Sequence, residues 1–135
     1  MSMNDNQRRT LNVALRLLEV TLDDIDALLE RDRDGILYAV RTRIPVERTE
    51  ELTRLSAEAR ALLADLARKY QLQKQERDGA RTISAQLSSR WESLEDTRPK
   101  KLRAYGPVDP ALVPELDPPM ERLIQLVLAM ERLTR

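Results

Sequence analysis

The feature that most constrains the fold is a leucine-rich heptad pattern between residues 11 and 29. Apolar residues recur there at alternating steps of four and three, which is the spacing of one face of an α-helix. They are Leu11, Leu15, Leu18, Leu22, Ile25 and Leu29. Further apolar residues widen this face beyond a two-stranded seam, namely Val13, Leu17, Val20 and Leu28. We therefore predict a long helix that packs against more than one neighbour.

This first helix is expected to end between Asp32 and Gly35, where Gly35 suits a left-handed helix cap. The segment from Ile36 to Ile44 is ambiguous, because its apolar residues fit one helical face while Val, Ile and Tyr also favour strands. A strand needs a partner, and no second strand is evident nearby. We therefore predict a helix here, and Pro45 either ends it or lies in the first turn of the next helix.

A second and a third helix are predicted on either side of a polar stretch from Gln71 to Gly79. The second begins near Val46, and the third ends at Pro99. The apolar seams are Leu52, Leu55, Ala59, Leu62, Leu66 and Tyr70 in the second helix, and Ile83, Leu87, Trp91 and Leu94 in the third. One alternative is a single long helix that continues through the polar stretch. We favour a bend, because Gly79 would cost about 1 kcal/mol inside a helix.

The stretch from Pro99 to Pro119 contains six prolines, a density that argues against a regular helix. Apolar residues punctuate it, so we predict an extended strap over residues 99–119 that lies across the other helices. The last helix is expected to have Asp117 as its N-cap and Pro118 at its first position.

This C-terminal helix, residues 120–135, is apolar nearly all round from Leu123 to Met130. Such a helix is usually buried on several sides, either centrally or in a second subunit. The whole pattern predicts an all-α fold, an antiparallel helical bundle of about four main helices. We expect a single domain over residues 1–135, with heptad-patterned helices in residues 1–98 and the Pro-rich strap before the last helix.

The composition narrows the possible chemistry. Lys+Arg and Asp+Glu both total 23, so no global basic field is expected to attract nucleic acid or anionic lipid. The chain has no Cys and no His, which removes disulfides, thiolate chemistry and the commonest general base and metal ligand. Three isolated glycines cannot form a phosphate-binding loop. We therefore predict no enzymatic activity, no cofactor and no metal.

Localisation and membrane contact follow from the same pattern. The polar start does not resemble a secretory signal, and no apolar run approaches membrane-spanning length. We expect a cytoplasmic protein without a membrane partner.

One dense basic cluster is the main candidate for an interaction site. It comprises Arg98, Lys100, Lys101 and Arg103, with Trp91 and Tyr105 on either side. Cations beside aromatic rings can hold single-stranded nucleic acid, phosphates or an acidic protein surface. Alternatively, the cations complement a helix C-terminus and the two aromatic residues are core anchors. The phase of Trp91 with Leu87 and Leu94 favours the core.

Two acidic groups are weaker candidates, one for calcium binding and one for acid–base chemistry or Mg²⁺ binding. The residues from Glu30 to Gly35 resemble the start of a calcium-binding loop, but Arg41 occupies the twelfth position, where a bidentate Glu is needed. The carboxylates Asp23, Asp24, Asp26 and Glu30 share one helical region, and we expect them to face water. Tyr38 fits either an exposed interface residue or a residue packed in the loop.

The leading functional hypothesis is a non-enzymatic helical protein-interaction or assembly module that binds a partner protein by helix packing, forms a homodimer, or does both. Nucleic-acid or polyanion binding through residues 98–103 is an alternative. The long heptad helices also resemble those of flagellar and other secretion export chaperones, helical hairpins that hold a partner helix. That resemblance implies a helical partner binder. An enzyme or small-ligand binder with a pocket between helices is the remaining hypothesis.

Overall fold

A computed structural model describes residues 2–135 of the chain, which form two compact units, one ending at Gln75 and one beginning at Glu76. The first unit contains α1 (Asp5–Glu30), β1 (Arg33–Asp34), β2 (Ala39–Val40) and α2 (Val46–Lys69). The second contains α3 (Gly79–Glu95), α4 (Pro99–Leu102), a 3-10 turn (Arg103–Tyr105) and α5 (Leu112–Arg132). The predicted all-α class is confirmed.

Helix α1 begins and ends with clear local signals. The Asn4 side chain accepts from the Gln7 backbone N–H at 2.8 Å, and the Gln7 side chain accepts from the Asn4 N–H at 3.0 Å. This reciprocal capping box satisfies two helix-terminal donors. At the other end, Arg31 takes an extended conformation. The predicted left-handed cap at Gly35 is wrong, because Gly35 lies beyond the helix end and its φ is not positive.

The segment from Ile36 to Ile44 is not a helix, which corrects the sequence-based prediction. Strands β1 and β2 pair antiparallel, with Arg33 opposite Val40 and Asp34 opposite Ala39. The missing partner strand is only two residues long and consists of charged residues, so it carries no strand signal. The hairpin satisfies backbone groups that a helix would otherwise have paired.

Helices α1 and α2 pack antiparallel, since the start of α1 lies beside the end of α2. Arg8 Nε donates to the Tyr70 carbonyl oxygen at 3.1 Å. Further along, Ser56 of α2 donates to Asp26 of α1 at 3.4 Å. Leu22 is the buried apolar residue of α1. Helix α1 therefore packs against α2 through part of its predicted seam, since Leu18 of that seam is exposed.

The helix is interrupted between α2 and α3, as the sequence predicts, and does not continue through the polar stretch. Gln71 adopts a left-handed conformation, with φ of 52°, directly after the end of α2. Helix α3 then starts at Gly79, where the Asp78 side chain accepts from the Arg81 backbone N–H at 3.3 Å. Gly79 thus occupies a helix start, where its entropic cost is smaller than in a helix interior.

In the second unit, α3 and α5 pack antiparallel, and α4 also contacts α5. Ser84 near the start of α3 donates to Glu131 near the end of α5 at 3.4 Å. Met120 and Ile124 are the buried apolar residues of this pair. They lie one helical turn apart, so they form a single line of contact with α3.

The extended strap predicted over residues 99–119 is wrong at both ends. Its first part is α4 and the 3-10 turn, and Gly106, with φ of 145°, ends that turn in a conformation suited to glycine. Helix α5 starts at Leu112, so neither Asp117 nor Pro118 marks its start. A proline in the first turn loses no helical hydrogen bond, but Pro118 and Pro119 lie inside the helix.

Burial in both units is limited. The buried apolar residues among those described are Leu22, Pro99, Met120 and Ile124, and no described side chain is less than 2% exposed. The accessible surface is 11309 Å². Two separate compact proteins, each of half this mass, would together expose about 8,700 Å². The chain therefore leaves apolar surface uncovered that compact proteins of this size bury.

Candidate interaction surfaces

The most regular uncovered surface is a row of apolar residues along α5, which we call the outer stripe. It consists of Leu123, Leu126, Met130 and Leu133. Their spacing of three, four and three residues places them on one helical face. Their exposed fractions range from 41% for Leu126 to 86% for Leu133. Helix α5 thus presents a heptad face that is not packed against the other helices of its own unit.

The opposite flank of α5 faces α3. Ile124 is only 4% exposed, and Val127 and Leu128 are half-buried. The sequence predicted a helix that is apolar nearly all round, and the structure divides these residues between two faces. The packing against α3 accounts for one face only, so the apolar residues of the outer stripe need another partner.

A second uncovered row lies on α1. It contains the residues that widen the heptad face, Val13, Leu17, Val20 and Leu28, all of which are exposed. Asp24 falls in the same phase between Val20 and Leu28, so this row is less continuous than the outer stripe. On α2, Leu55 and Leu62 are also exposed, although both belong to the predicted seam. Helix α2 therefore covers only part of the apolar surface of α1.

The four residues of the basic cluster differ in their surroundings, because Arg98 is ion-paired and the other three are exposed. Arg98 is 16% exposed at its side chain and forms ion pairs with three carboxylates. Its Nε lies 2.9 Å from Glu95, its Nη1 lies 3.5 Å from Asp117, and its Nη2 hydrogen-bonds Glu121. Arg98 thus links the end of α3 to α5. Its positive charge is already neutralised by these carboxylates, so Arg98 is not available to bind a polyanion.

The remaining members of the cluster are accessible. Lys100, Lys101 and Arg103 are exposed, and Tyr105 is 88% exposed. Tyr105 is therefore not a core anchor, which was one of the two interpretations of the sequence. Trp91 is half-buried on α3. Three cations and one aromatic ring remain as a basic surface on α4 and the 3-10 turn.

The ion pair between Arg98 and Glu121 shifts the pKa values of both side chains. The hydrogen bond from Arg98, with the charge of the guanidinium, lowers the pKa of the Glu121 carboxyl below its ordinary value of 4.5. The same hydrogen bond raises the pKa of Arg98. A carboxyl whose pKa is lower in the folded state stabilises the fold above its unfolded pKa, and this stabilisation disappears as pH falls through the folded pKa.

Replacing Arg98 with glutamine is therefore expected to weaken the acid dependence of folding stability. The wild-type protein should lose stability below about pH 4.5 as Glu121 becomes protonated. The R98Q variant should be less stable at neutral pH and lose less on acidification, because Glu121 no longer favours its charged form. Urea unfolding over a series of pH values measures both effects. R90Q is the control, since Arg90 forms no ion pair within residues 2–135. Identical pH profiles for R98Q and wild type would contradict the assignment.

Of the four acidic residues considered on α1, Asp24 and Glu30 are exposed without an ion pair among residues 2–135, whereas Asp23 and Asp26 pair with an arginine. Arg60 of α2 contacts Asp23 at 2.9 Å and Asp26 at 2.7 Å. These contacts join α1 to α2. Within the described residues, no group of three or more His, Cys, Asp or Glu side chains is placed to hold a metal ion. The candidate calcium loop instead begins at the last residue of α1, Glu30, and continues into β1.

The hairpin exposes a further apolar group at its tip. Ile36 and Leu37 are 99% and 97% exposed, and Tyr38 is exposed beside them. The apolar spacing of this segment predicted Ile36 and Leu37 on a helical face and therefore did not indicate this exposed surface. The signal available was Tyr38, for which an exposed interface position was one of the two interpretations.

Comparison with protein-family models, with curated proteins and with solved structures returns no match for this chain. No helix in the described part of the chain has the length and apolar character needed to cross a membrane.

Proposed function

We propose that this chain is a non-enzymatic helical assembly module that forms a homodimer through the outer stripe of α5. The observation that carries the proposal is an exposed heptad row on a helix whose other face is already packed. Heptad rows of Leu and Met associate by inserting each side chain between four residues of a partner helix. A partner that presents a helix of the same spacing is therefore the best match.

A second copy of the chain meets this requirement directly. Two-fold dimers bring the same patch of both subunits together, so a row of apolar residues at regular spacing is complementary to itself. The row itself contains no charged residue, and the neutral residues Val127 and Ala129 border it. Self-association of α5 therefore meets little repulsion between like charges.

The amount of exposed surface also supports a dimer. The chain exposes roughly 2,600 Å² more than two compact halves of the same mass. Obligate homodimers bury about 2,000 to 5,000 Å² in total. The excess on two chains is therefore sufficient for an interface of this size.

The chemistry of the described side chains supports a non-enzymatic role. Enzyme sites usually combine a nucleophile or base with a group that orients it. Here the close carboxylates are neutralised by arginines, at Arg60 and at Arg98. The buried carboxylate of Glu131 accepts hydrogen bonds from Ser84 and Arg135, both at 3.4 Å. These charged side chains connect neighbouring helices, so their contacts stabilise the fold.

The test is the mass of the protein in solution by sedimentation velocity and equilibrium. We expect a particle of twice the 15.6 kDa chain mass at micromolar concentration, with dissociation only on strong dilution. A chain that remains monomeric throughout the micromolar range would contradict the proposal. A reproducible turnover activity that is lost on replacing one residue would contradict the non-enzymatic part.

Polyanion binding by Lys100, Lys101, Arg103 and Tyr105 is a second candidate, favoured by the exposure of Tyr105 beside three exposed cations. It requires an affinity for single-stranded nucleic acid that falls steeply with added salt. The K100Q/K101Q variant distinguishes it from the dimer, whose interface lies on another helix. Absence of a mobility shift at low salt excludes this candidate.

A further inference from the structure

The hairpin formed by β1 and β2 holds an apolar tip away from the packed helices. The Gly35 N–H donates to the Tyr38 carbonyl oxygen at 2.9 Å, which closes the loop with Ile36 and Leu37 at its tip. A Cβ atom at position 35 would lie 2.9 Å from that oxygen and 3.0 Å from the Tyr38 ring. Only glycine tolerates this approach, so the loop geometry depends on Gly35.

The base of the hairpin carries a net positive charge, because residues 31–43 contain four arginines and two aspartates. Two acids alternate with the arginines, but both are engaged within the hairpin. Asp34 lies 3.3 Å from Arg41, and Asp32 accepts from the Thr42 backbone N–H at 3.0 Å. Three further arginines form no ion pair within residues 2–135, namely Arg31, Arg33 and Arg43. The exposed charge around the apolar tip is therefore positive.

We propose that this hairpin inserts its tip into the surface of an anionic lipid bilayer. Ile36 and Leu37 enter the boundary between headgroups and acyl chains, and Tyr38 lies at headgroup level, where aromatic rings with a polar end are favoured. The free arginines bind lipid phosphates, because an anionic surface attracts each basic residue held close to it. This inference does not depend on the proposed dimer.

The dimensions of the hairpin fit this arrangement. Three residues separate Ile36 from Arg33, which corresponds to about 10 Å of extended chain. Amphipathic segments that lie in the membrane interface bury their apolar side by about 5 to 10 Å. Arg33 therefore reaches the phosphates when the tip reaches the acyl boundary, and Arg31 and Arg43 lie farther from the tip. The long arginine side chains can adjust to this depth.

A lipid surface fits these residues better than a protein pocket does. The tip is convex, with Ile36 and Leu37 almost completely exposed and without a polar rim at the same level. A fluid bilayer accepts such a tip without a matching cavity. The sequence predicted no membrane contact because the net charge is zero and no segment spans a bilayer. Neither argument excludes a local apolar tip with unpaired arginines around it.

The experiment measures binding of the full chain to two kinds of vesicle, phosphatidylcholine alone and an equimolar mixture with phosphatidylglycerol. Co-sedimentation is compared for wild type, I36S/L37S, K100Q/K101Q and two matched controls. V46S removes an exposed apolar side chain at the start of α2, and R90Q removes an unpaired cation on α3. All replaced side chains are exposed, so folding should not change, and circular dichroism checks this.

We expect wild type, V46S and R90Q to bind the mixed vesicles alike. Binding should be at least about tenfold weaker on phosphatidylcholine alone and at least about tenfold weaker for I36S/L37S on the mixed vesicles. Absence of wild-type binding to both vesicles overturns the proposal and leaves the tip as a protein contact. Binding that I36S/L37S retains and K100Q/K101Q loses also overturns it, and places lipid binding on the basic surface of α4.

Discussion

Replacing Leu126 and Met130 with glutamate is expected to convert the dimer into a monomer. Both residues lie in the middle of the outer stripe, where a partner helix would exclude water from them. A dimer of this variant would bury four carboxylates without partners, and each buried unpaired charge costs several kcal/mol. The dissociation constant should therefore rise at least about 1,000-fold, which corresponds to about 4 kcal/mol.

The same substitutions should leave the packing between α3 and α5 in place. Leu126 and Met130 are exposed in the described fold, and glutamate is a good helix former. Sedimentation equilibrium gives the dissociation constant, and circular dichroism gives the helix content at the same concentrations. A monomer with little helix at a concentration where wild type is folded would indicate an obligate dimer, in which folding and association are coupled.

The matched control for this experiment is R132E. It changes the charge of the chain by the same amount as the two glutamates and lies on α5, but outside the outer stripe. It should dimerise as wild type does. If L126E/M130E remains dimeric, the interface is not the outer stripe, and the exposed row on α1 becomes the next candidate.

The helices could be predicted from the sequence because their apolar residues follow the helical period over several turns. Leu22 in α1 is buried as its heptad position indicates. The period does not reveal which apolar row faces inward when a helix has two of them. In α5 the inner face includes Glu131, whereas the outer stripe is wholly apolar. Hydrophobicity alone would therefore have assigned the outer stripe to the core.

The misassigned segments have local causes that a single sequence does not display. Strand β1 consists of Arg33 and Asp34, so its pairing with β2 depends on backbone hydrogen bonds and on the Gly35 loop. In α5, the helix passes through Pro118 although two helical hydrogen bonds are lost nearby. The burial of Met120 and the ion pair of Arg98 with Asp117 help to offset that loss. Both effects require contacts that are distant in the sequence.

The candidate surfaces were only partly predictable for a related reason. The basic cluster is visible in the sequence, but its division between an engaged Arg98 and three exposed cations depends on Glu121 and Asp117, about twenty residues away. The outer stripe and the hairpin tip are recognised as surfaces because their apolar side chains remain exposed in the fold. Exposure of an apolar residue is a property of the folded arrangement, so sequence patterns indicate a helix face without showing whether it is packed.

Replacing Ile124 with alanine is expected to produce the largest loss of stability among truncations to alanine in α5. Ile124 is 4% exposed and lies against α3, so removing its side chain leaves a cavity and forfeits buried contacts. Such substitutions cost about 2 to 5 kcal/mol. Urea denaturation followed by circular dichroism measures the change in the free energy of unfolding.

The neighbouring substitution L123A separates the two faces of the helix, because Leu123 lies in the outer stripe and is exposed in the single chain. In the dimer, L123A should also be destabilising, and its midpoint should shift with protein concentration as the weakened dimer dissociates. In the monomeric L126E/M130E background, I124A should keep its full cost, whereas L123A should cost less than about 1 kcal/mol. Equal costs for the two substitutions in that background would mean that Leu123 packs within its own chain. The outer stripe would then belong to the core of the second unit, and the dimer interface proposed here would have to lie elsewhere.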